Sequence, residues 1–357
     1  MSLIMDFSLF YFADDADADG HRYRLLLDGA RFADTHDFTA VWTPERHFHR
    51  FGGLFPNPSV AAAAVAAATT RVAVRAGSVV APLHHPVRIA EEWSMVDNLS
   101  NGRAGLALAS GWNPQDFLFN PEVYAQRREV TAEMIDTLRA LWRGEGYRGS
   151  GASAGQEVRI YPHPVQAGGP PLWLTSGGTV ATFEAAGRAG VGVLTNLLTY
   201  GLEALPEKIA AYRHAFAQAG HAGPGHVVLM LHAYLDEDRD AVDRLVRRPL
   251  QRYLMTALDL NLRATGLPVR NQPVVADGAA VPVVVQRAYE RYRTRDGLFG
   301  SVSDALGVVR RAAAADVDEI ACLIDFGVPP EAVLEGLDRL DQLRAAAVTT
   351  PGGVARG

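Results

Sequence analysis

Cysteine is almost missing from this chain of 357 residues: Cys322 stands alone. That excludes a disulfide framework and a cysteine-based zinc centre. No uninterrupted apolar run reaches about 18 residues, the length a membrane-spanning helix requires. The opening stretch MSLIMDFSLFYF has neither the basic start nor the cleavage-site pattern of a secretory leader. Basic residues are outnumbered, 34 Lys+Arg against 40 Asp+Glu, for a net charge of −6. This argues against nucleic acid or an anionic membrane as partner, because phosphate contacts need clustered Lys and Arg. The expectation is a soluble, cytoplasmic protein. Its 48% hydrophobic and 21% charged residues are an ordinary globular composition.

Hydrophobic periodicity alternates between strand and helix along the whole chain. Strands are predicted at Asp6–Ala13, Thr39–Pro44, Val72–Ala81, Arg103–Ser110, Leu172–Ser176, Gly192–Leu198, Val227–Leu235 and Asp318–Phe326. Val72–Ala81 is continuous and β-branched, as in a strand covered on both faces. Helices are predicted over Arg22–His36, Asn57–Thr69, Pro86–Ser100, Gln126–Gly144, Thr179–Ala189, Leu205–Ala219, Asp238–Leu260, Ser303–Ala315 and Pro330–Ala346. Eight strands separated by helices predict an α/β fold, a (β/α)8 TIM barrel forming one domain over residues 1–348, with a frayed tail at 349–357. The competitor, a doubly wound open sheet, would place a glycine fingerprint after the first strand, and none follows Asp6–Ala13. Two stretches exceed ordinary loops: Trp112–Ala125 after strand four, and Gly266–Gly300 between strands seven and eight. Such insertions on a barrel form lids or substrate walls.

Function in a barrel collects at the C-terminal ends of its strands. Strand two runs into WTPERHFHRFGG, where Glu45, Arg46, His47 and His49 sit among Trp42, Phe48 and Phe51. A solvated loop would explain a charged run alone, but aromatic packing lowers the local dielectric and tunes a histidine's proton affinity. Strand three ends in Gly77-Ser78 and then His84-His85. Adjacent histidines point apart, so a helix cap or a carbonyl partner is favoured over a metal pair. Strand four ends in Ala109-Ser110-Gly111-Trp112, small residues that admit a planar ligand or simply form a turn. Strand five ends in Ser176-Gly177-Gly178-Thr179 before a helix, which reads as a phosphate cradle or as an ordinary N-cap turn. With no Lys in that loop it is not a triphosphate P-loop. His232, inside strand seven, reads as a satisfied core histidine, and Arg127 and Arg128 are by default surface charges. Arg244, Arg247, Arg248 and Arg252 form either a basic patch or a solvated helix face.

Taken together, WTPERHFHRFGGLFPNP, SVVAPLHHPVRIAEEWSMVDNLSNGR, ASGWNPQDF and LWLTSGGT resemble the luciferase-like flavin monooxygenase family over nearly the whole chain. The wording is similar to the branch of polyketide, nonribosomal-peptide and antibiotic biosynthesis, whose substrates include carrier-tethered ones. The resemblance implies a barrel that takes reduced FMN from a separate flavin reductase. Oxygen adds at the flavin C4a carbon, and the resulting peroxyflavin hydroxylates a small-molecule substrate. It implies catalytic roles for Glu45, Arg46 and His47. The luciferase motif has histidine where Arg46 stands, so Arg46 would hold an anionic peroxide or a substrate carboxylate, with His47 as acid/base group. It implies flavin contacts at Gly77 and Ser78, through a non-prolyl cis peptide, and at Ala109, Ser110, Trp112, Thr195 and Asn196. Phosphate contacts are implied at Ser176, Gly177, Gly178 and Thr179, with Tyr124, Arg127 and Arg128 as further candidates. A homodimer through the helices after strands two and three is implied as well. The alternatives are a deazaflavin-dependent oxidoreductase on the same barrel, a metal-dependent hydrolase using His47 and His49, or a flavin-binding scaffold without turnover. The resemblance itself implies no metal.

Overall fold

The computed structural model describes residues 5–12, 22–149, 154–264 and 282–349. Eleven strands appear among them: β1 (Asp6–Tyr11), β2 (Ala40–Thr43), β3 (Ala73–Val80), β4 (Ala104–Ala109), β5 (Tyr147–Arg148), β6 (Glu157–Val158), β7 (Leu172–Ser176), β8 (Gly192–Asn196), β9 (Val227–Leu235), β10 (Leu298–Gly300) and β11 (Glu319–Asp325). The helices are α1 (Arg24–Thr35), α2 (Pro58–Ala68), α3 (Pro86–Ser100), α4 (Arg127–Trp142), α5 (Val180–Ala189), α6 (Leu205–Gln218), α7 (Arg239–Ala264), α8 (Val283–Arg291), α9 (Val302–Ala314) and α10 (Pro330–Thr349). Parallel pairing runs β11-β1-β2-β3-β4-β7-β8-β9, and β9 pairs back to β11, so the sheet closes. Closure abolishes sheet edges, and the helices cover the outside, which is why β2 and β9 are buried at every position. The barrel expectation holds.

Two stretches carry elements beyond those the periodicity predicts. The stretch between α4 and β7 carries an antiparallel hairpin, β5 with β6, that the periodicity did not show because each strand has only two residues. The predicted insertion Gly266–Gly300 is not one long loop: α8, a π-helical turn at Tyr292–Asp296 and β10, which extends the sheet beside β9, fill its second half. Its first half, residues 266–281, and the predicted tail beyond residue 349 lie outside the described residues. The first insertion folds as two short 3-10 turns, Asp116–Phe119 and Pro121–Val123.

Helix boundaries follow from capping chemistry. Asn57 Oδ1 accepts from the backbone N–H of Ser59 at 2.9 Å and Val60 at 3.1 Å, and Pro58 occupies the first turn, where its missing N–H costs nothing. Asn57→Ala is expected to lower the unfolding free energy by about 1 kcal/mol, read as a shifted denaturation midpoint with an unchanged slope. At the other end of α3, Asn101 adopts the left-handed conformation that stops the helix, as the Asn-Gly pair predicts.

The N-terminal end of the barrel is closed by an ionic plug. Glu319, fully buried at the start of β11, accepts from Arg75 Nη1 at 2.7 Å, from Trp42 Nε1 at 3.2 Å and from Ser8 Oγ. The Arg75 guanidinium lies over the rings of Trp42 and Trp173 at 5.0 and 4.7 Å. Burial would raise the Glu319 carboxyl, but Arg75 and the other donors hold it below its ordinary value. The opposite end, where the strands' C-termini open, carries the chemistry.

Candidate active site

The end of β2 is fixed by Thr43, whose hydroxyl donates to the Pro58 carbonyl at 3.1 Å. Two residues on, Glu45 is buried and takes three donors. His47 Nε2 lies 2.9 Å and His84 Nε2 2.6 Å from Glu45 Oε1, and the Val80 backbone N–H donates to Oε2 at 2.7 Å. Burial alone would raise this carboxyl, but the hydrogen bonds from both histidines keep it below its ordinary value. Burial pulls His84 downward, yet its bond to Glu45 prevails and its affinity for a proton is raised. The result is an ionised carboxylate held between two imidazoles. His47 packs edge-on to Phe119 at 4.8 Å between centroids, with Phe48 beside both.

Arg46 is buried, only 4% exposed, and lies 5.0 Å over the Trp112 ring. Its Nη1 is 3.9 Å from Asp116 Oδ2, and Asp116 Oδ1 accepts from Asn113 Nδ2 at 2.7 Å. The loop after β2 is thereby tied to the insertion after β4. Desolvation holds the Arg46 guanidinium below, and the Asp116 carboxyl above, their ordinary values.

The third part of the mouth is built by β3, β7 and β8. The Gly77–Ser78 peptide is cis. A Cβ on Gly77 would fall 2.5 Å from Phe10 Cε2, so glycine is required where β3 crosses the interior rings. Ser78 Oγ and Thr175 Oγ1 are hydrogen-bonded at 2.6 Å although β4 separates their strands, so their bond spans the mouth. Thr195 Oγ1 donates to the Ser176 carbonyl at 3.0 Å and meets Tyr200 OH at 2.7 Å. Gly178 has φ +108° and a Cβ there would strike Tyr200, so the turn before α5 also requires glycine. Around Gly177 a Cβ would meet nothing within 4 Å, so the space over the turn is open. No side chain caps α5, and at its start the hydroxyls of Thr179 and Thr182 are hydrogen-bonded to each other at 2.8 Å. An open, uncapped helix start with small residues fits a phosphate, and a mouth lined by hydroxyls and glycines fits a planar ring above it.

The comparisons with known proteins bear on this geometry. The family model for luciferase-like monooxygenases matches residues 5–345. The chain belongs to this family. A relative described as the oxygenase component of a flavin-dependent trigonelline monooxygenase, from Acinetobacter baylyi, is 24% identical over 94% of this chain and 93% of its own. Among solved structures, monooxygenase RslO1 from Streptomyces bottropensis superimposes with a TM-score of 0.76 at 24% identity, covering 95% of this chain and 98% of its own. The oxygenating constituent of 3,6-diketocamphane monooxygenase from Pseudomonas putida, in complex with FMN, gives 0.73 at 16%, covering 97% and 99%. An F420-dependent secondary alcohol dehydrogenase gives 0.68 at 15%, covering 94% and 99%.

In this member of the luciferase-like monooxygenase family, the structure gathers the sequence-derived candidates at one end of the barrel. Glu45, Arg46 and His47 stand on the loop after β2, and Gly77, Ser78, Ser176 and Thr195 on strand ends. Ala109 and Ser110 are half-buried at the end of β4, Trp112 is exposed, and Asn196 uses its Oδ1 to accept from the Leu198 N–H. Arg127 is engaged elsewhere: it donates to the carbonyls of Gly111 at 3.1 Å and Tyr124 at 2.7 Å and lies over the Tyr124 ring, which braces the insertion. Arg128 is exposed. His85 caps α3 through Nδ1, accepting from the Val87 N–H at 3.3 Å, as the helix-cap reading expects. Its neighbour His84 joins Glu45 instead, and no local pattern around the His-His pair announces that. His232 is buried as expected, but it is not satisfied: neither ring nitrogen meets a partner, and desolvation pushes it down to about 3. The arginines of α7 are not an open basic patch, since Arg244 pairs with Asp238 and Arg247 with Asp243. Among the described residues no group of three or more His, Cys, Asp or Glu is placed to hold a metal ion, and His49 Nδ1 accepts from the Phe51 N–H. No described helix is long and apolar enough to cross a membrane.

Proposed function

We propose that this protein is the oxygenase of a two-component system, taking reduced FMN from a separate reductase and hydroxylating a small natural-product intermediate. The observation that carries the reading is the buried Glu45 with His47 and His84 at the same barrel mouth as the open turn Ser176–Thr179. The turn and the start of α5 hold the phosphate; Gly77, Ser78, Ala109, Ser110 and Thr195 line the ring; Trp112 walls one face. Reduced flavin, when bound, supplies the electrons that activate O2 for insertion of one oxygen atom. Glu45 accepts from Nε2–H of His47 and so fixes its tautomer, leaving Nδ1 to give or take a proton at the substrate. His47 is itself buried, which limits the access of water to that exchange. The description of the Acinetobacter relative as an oxygenase component supports the need for a reductase. Exposed Val60 on α2 with Met95 and Leu99 on α3 supports association of two copies through these helices, and the protein acts in the cytoplasm.

A deazaflavin is the second reading, since an F420-dependent enzyme shares the fold. Anaerobic titration separates the two by quenching of tryptophan fluorescence: reduced FMN is expected to bind saturably and at least tenfold more tightly than the deazaflavin. The reverse order would replace the monooxygenase reading with hydride transfer.

A further inference from the structure

Arg46 carries an unused fork. Its Nη1 faces Asp116, whereas Nε and Nη2, both buried, have no hydrogen-bond partner. These two nitrogens lie along one edge of the planar guanidinium, and their N–H bonds point the same way. That edge matches the two oxygens of a carboxylate, each taking one N–H. A buried guanidinium without partners on its better donor edge is costly, so the arrangement is held for a ligand that completes it. The surroundings set the rest of the ligand. Trp112 stacks on the guanidinium, Phe119 and Phe48 flank the adjacent His47, and a groove of about 580 Å³ lined by Phe48, Pro114, Phe117, Leu118 and Tyr124 meets this cluster at Phe48.

Building on the monooxygenase reading, we infer that the substrate is an amphipathic carboxylic acid, its free carboxylate gripped side-on by Arg46 Nε and Nη2 and its apolar body laid along the Phe48–Leu118 groove. A carboxyl group esterified to a carrier protein as a thioester lacks the second anionic oxygen. The acid that Arg46 reads is therefore presented unattached at that end.

The test uses the full chain without flavin, so that its outcome is independent of the cofactor, with acetate, benzoate, phenylacetate and octanoate against their neutral amides in calorimetric titration. At least one acid is expected to bind tenfold or more tightly than its amide. Arg46→Lys keeps the charge but has no fork, and is expected to remove most of that preference. It should leave the affinity for reduced FMN, measured in parallel, within about twofold. Circular dichroism verifies folding, and Asp116→Asn, which leaves the fork intact, should retain the preference. Equal binding of every acid and its amide would overturn the inference, as would equal affinity for acids in wild type and Arg46→Lys. A tenfold loss of flavin affinity in Arg46→Lys would assign the fork to the flavin ring and also overturn it. Failure of the wild type to bind FMN while the acid preference persists would sink the flavin reading and support this one.

Discussion

Glu45→Gln is expected to cut formation of oxygenated product by about 10²-fold or more, while reduced FMN still binds and is still oxidised by air. The reason is geometric before it is electrostatic. One carboxylate satisfies His47, His84 and the Val80 N–H at once. An amide offers a single acceptor oxygen: at the Oε1 position it leaves its NH2 against the Val80 N–H, and at the Oε2 position it turns its NH2 toward both imidazoles, so the tautomer of His47 is no longer fixed. Reducing equivalents are then released as hydrogen peroxide instead of entering product, and the ratio of peroxide to product is the measurement. His47→Ala should give the same uncoupling. Unchanged coupling in both variants would remove the pair from the mechanism.

The same substitution has a pH signature. Glu45 sits below its ordinary value of 4.5, so the stability it contributes is present above that pH and is lost as pH falls through the lowered value. His84 sits above 6.5, so its contribution is complete below that pH and is lost as pH rises through the raised value. The pair thus stabilises the fold fully between about pH 4.5 and 6.5 and fades on both sides. In Glu45→Gln the His84 imidazole loses the partner that raises it, and its titration followed by NMR should shift to lower pH.

Why the sequence discloses some of this and not the rest is visible in single residues. The barrel strands are legible where they are buried on both faces and so appear as largely apolar runs, Val227–Leu235 being the longest. Helix ends are legible where a local hydrogen bond fixes them, as at Asn57 and Asn101. Glu45, Arg46 and His47 stand out because charge is rare beside so many aromatic residues. His84 and Asp116 do not, because what selects them lies 39 and 70 positions away in the chain, in Glu45 and Arg46. Nor does the hairpin β5–β6, too short for any period to show, or the turn of chain from α8 to β10, whose pairing with β9 is long-range. His232 is misjudged for a related reason: composition says that a core histidine belongs to a hydrogen bond, whereas here Tyr253, Tyr292 and Phe326 present ring faces and edges to it.

The ionic plug at the closed end gives the largest expected effect on stability. Arg75→Met removes the cation but keeps the stem that packs on Trp42 and Trp173. Among the described residues, Glu319 then keeps Trp42 Nε1 and Ser8 Oγ as donors, with His226 Nε2 at 3.7 Å. An uncompensated buried carboxylate costs about 3–5 kcal/mol, so Arg75→Met should lower the unfolding midpoint by at least several degrees, read by calorimetry. Combining it with Glu319→Gln removes the charge while its remaining oxygen still accepts from Trp42 and Ser8, and should restore most of the loss. Removing both charges is therefore expected to harm the fold less than removing one, because the penalty lies in the orphaned anion rather than in the missing ion pair. If the double variant is as unstable as the sum of the single ones, the plug acts through packing of Arg75 between the two tryptophans, and the electrostatic account fails.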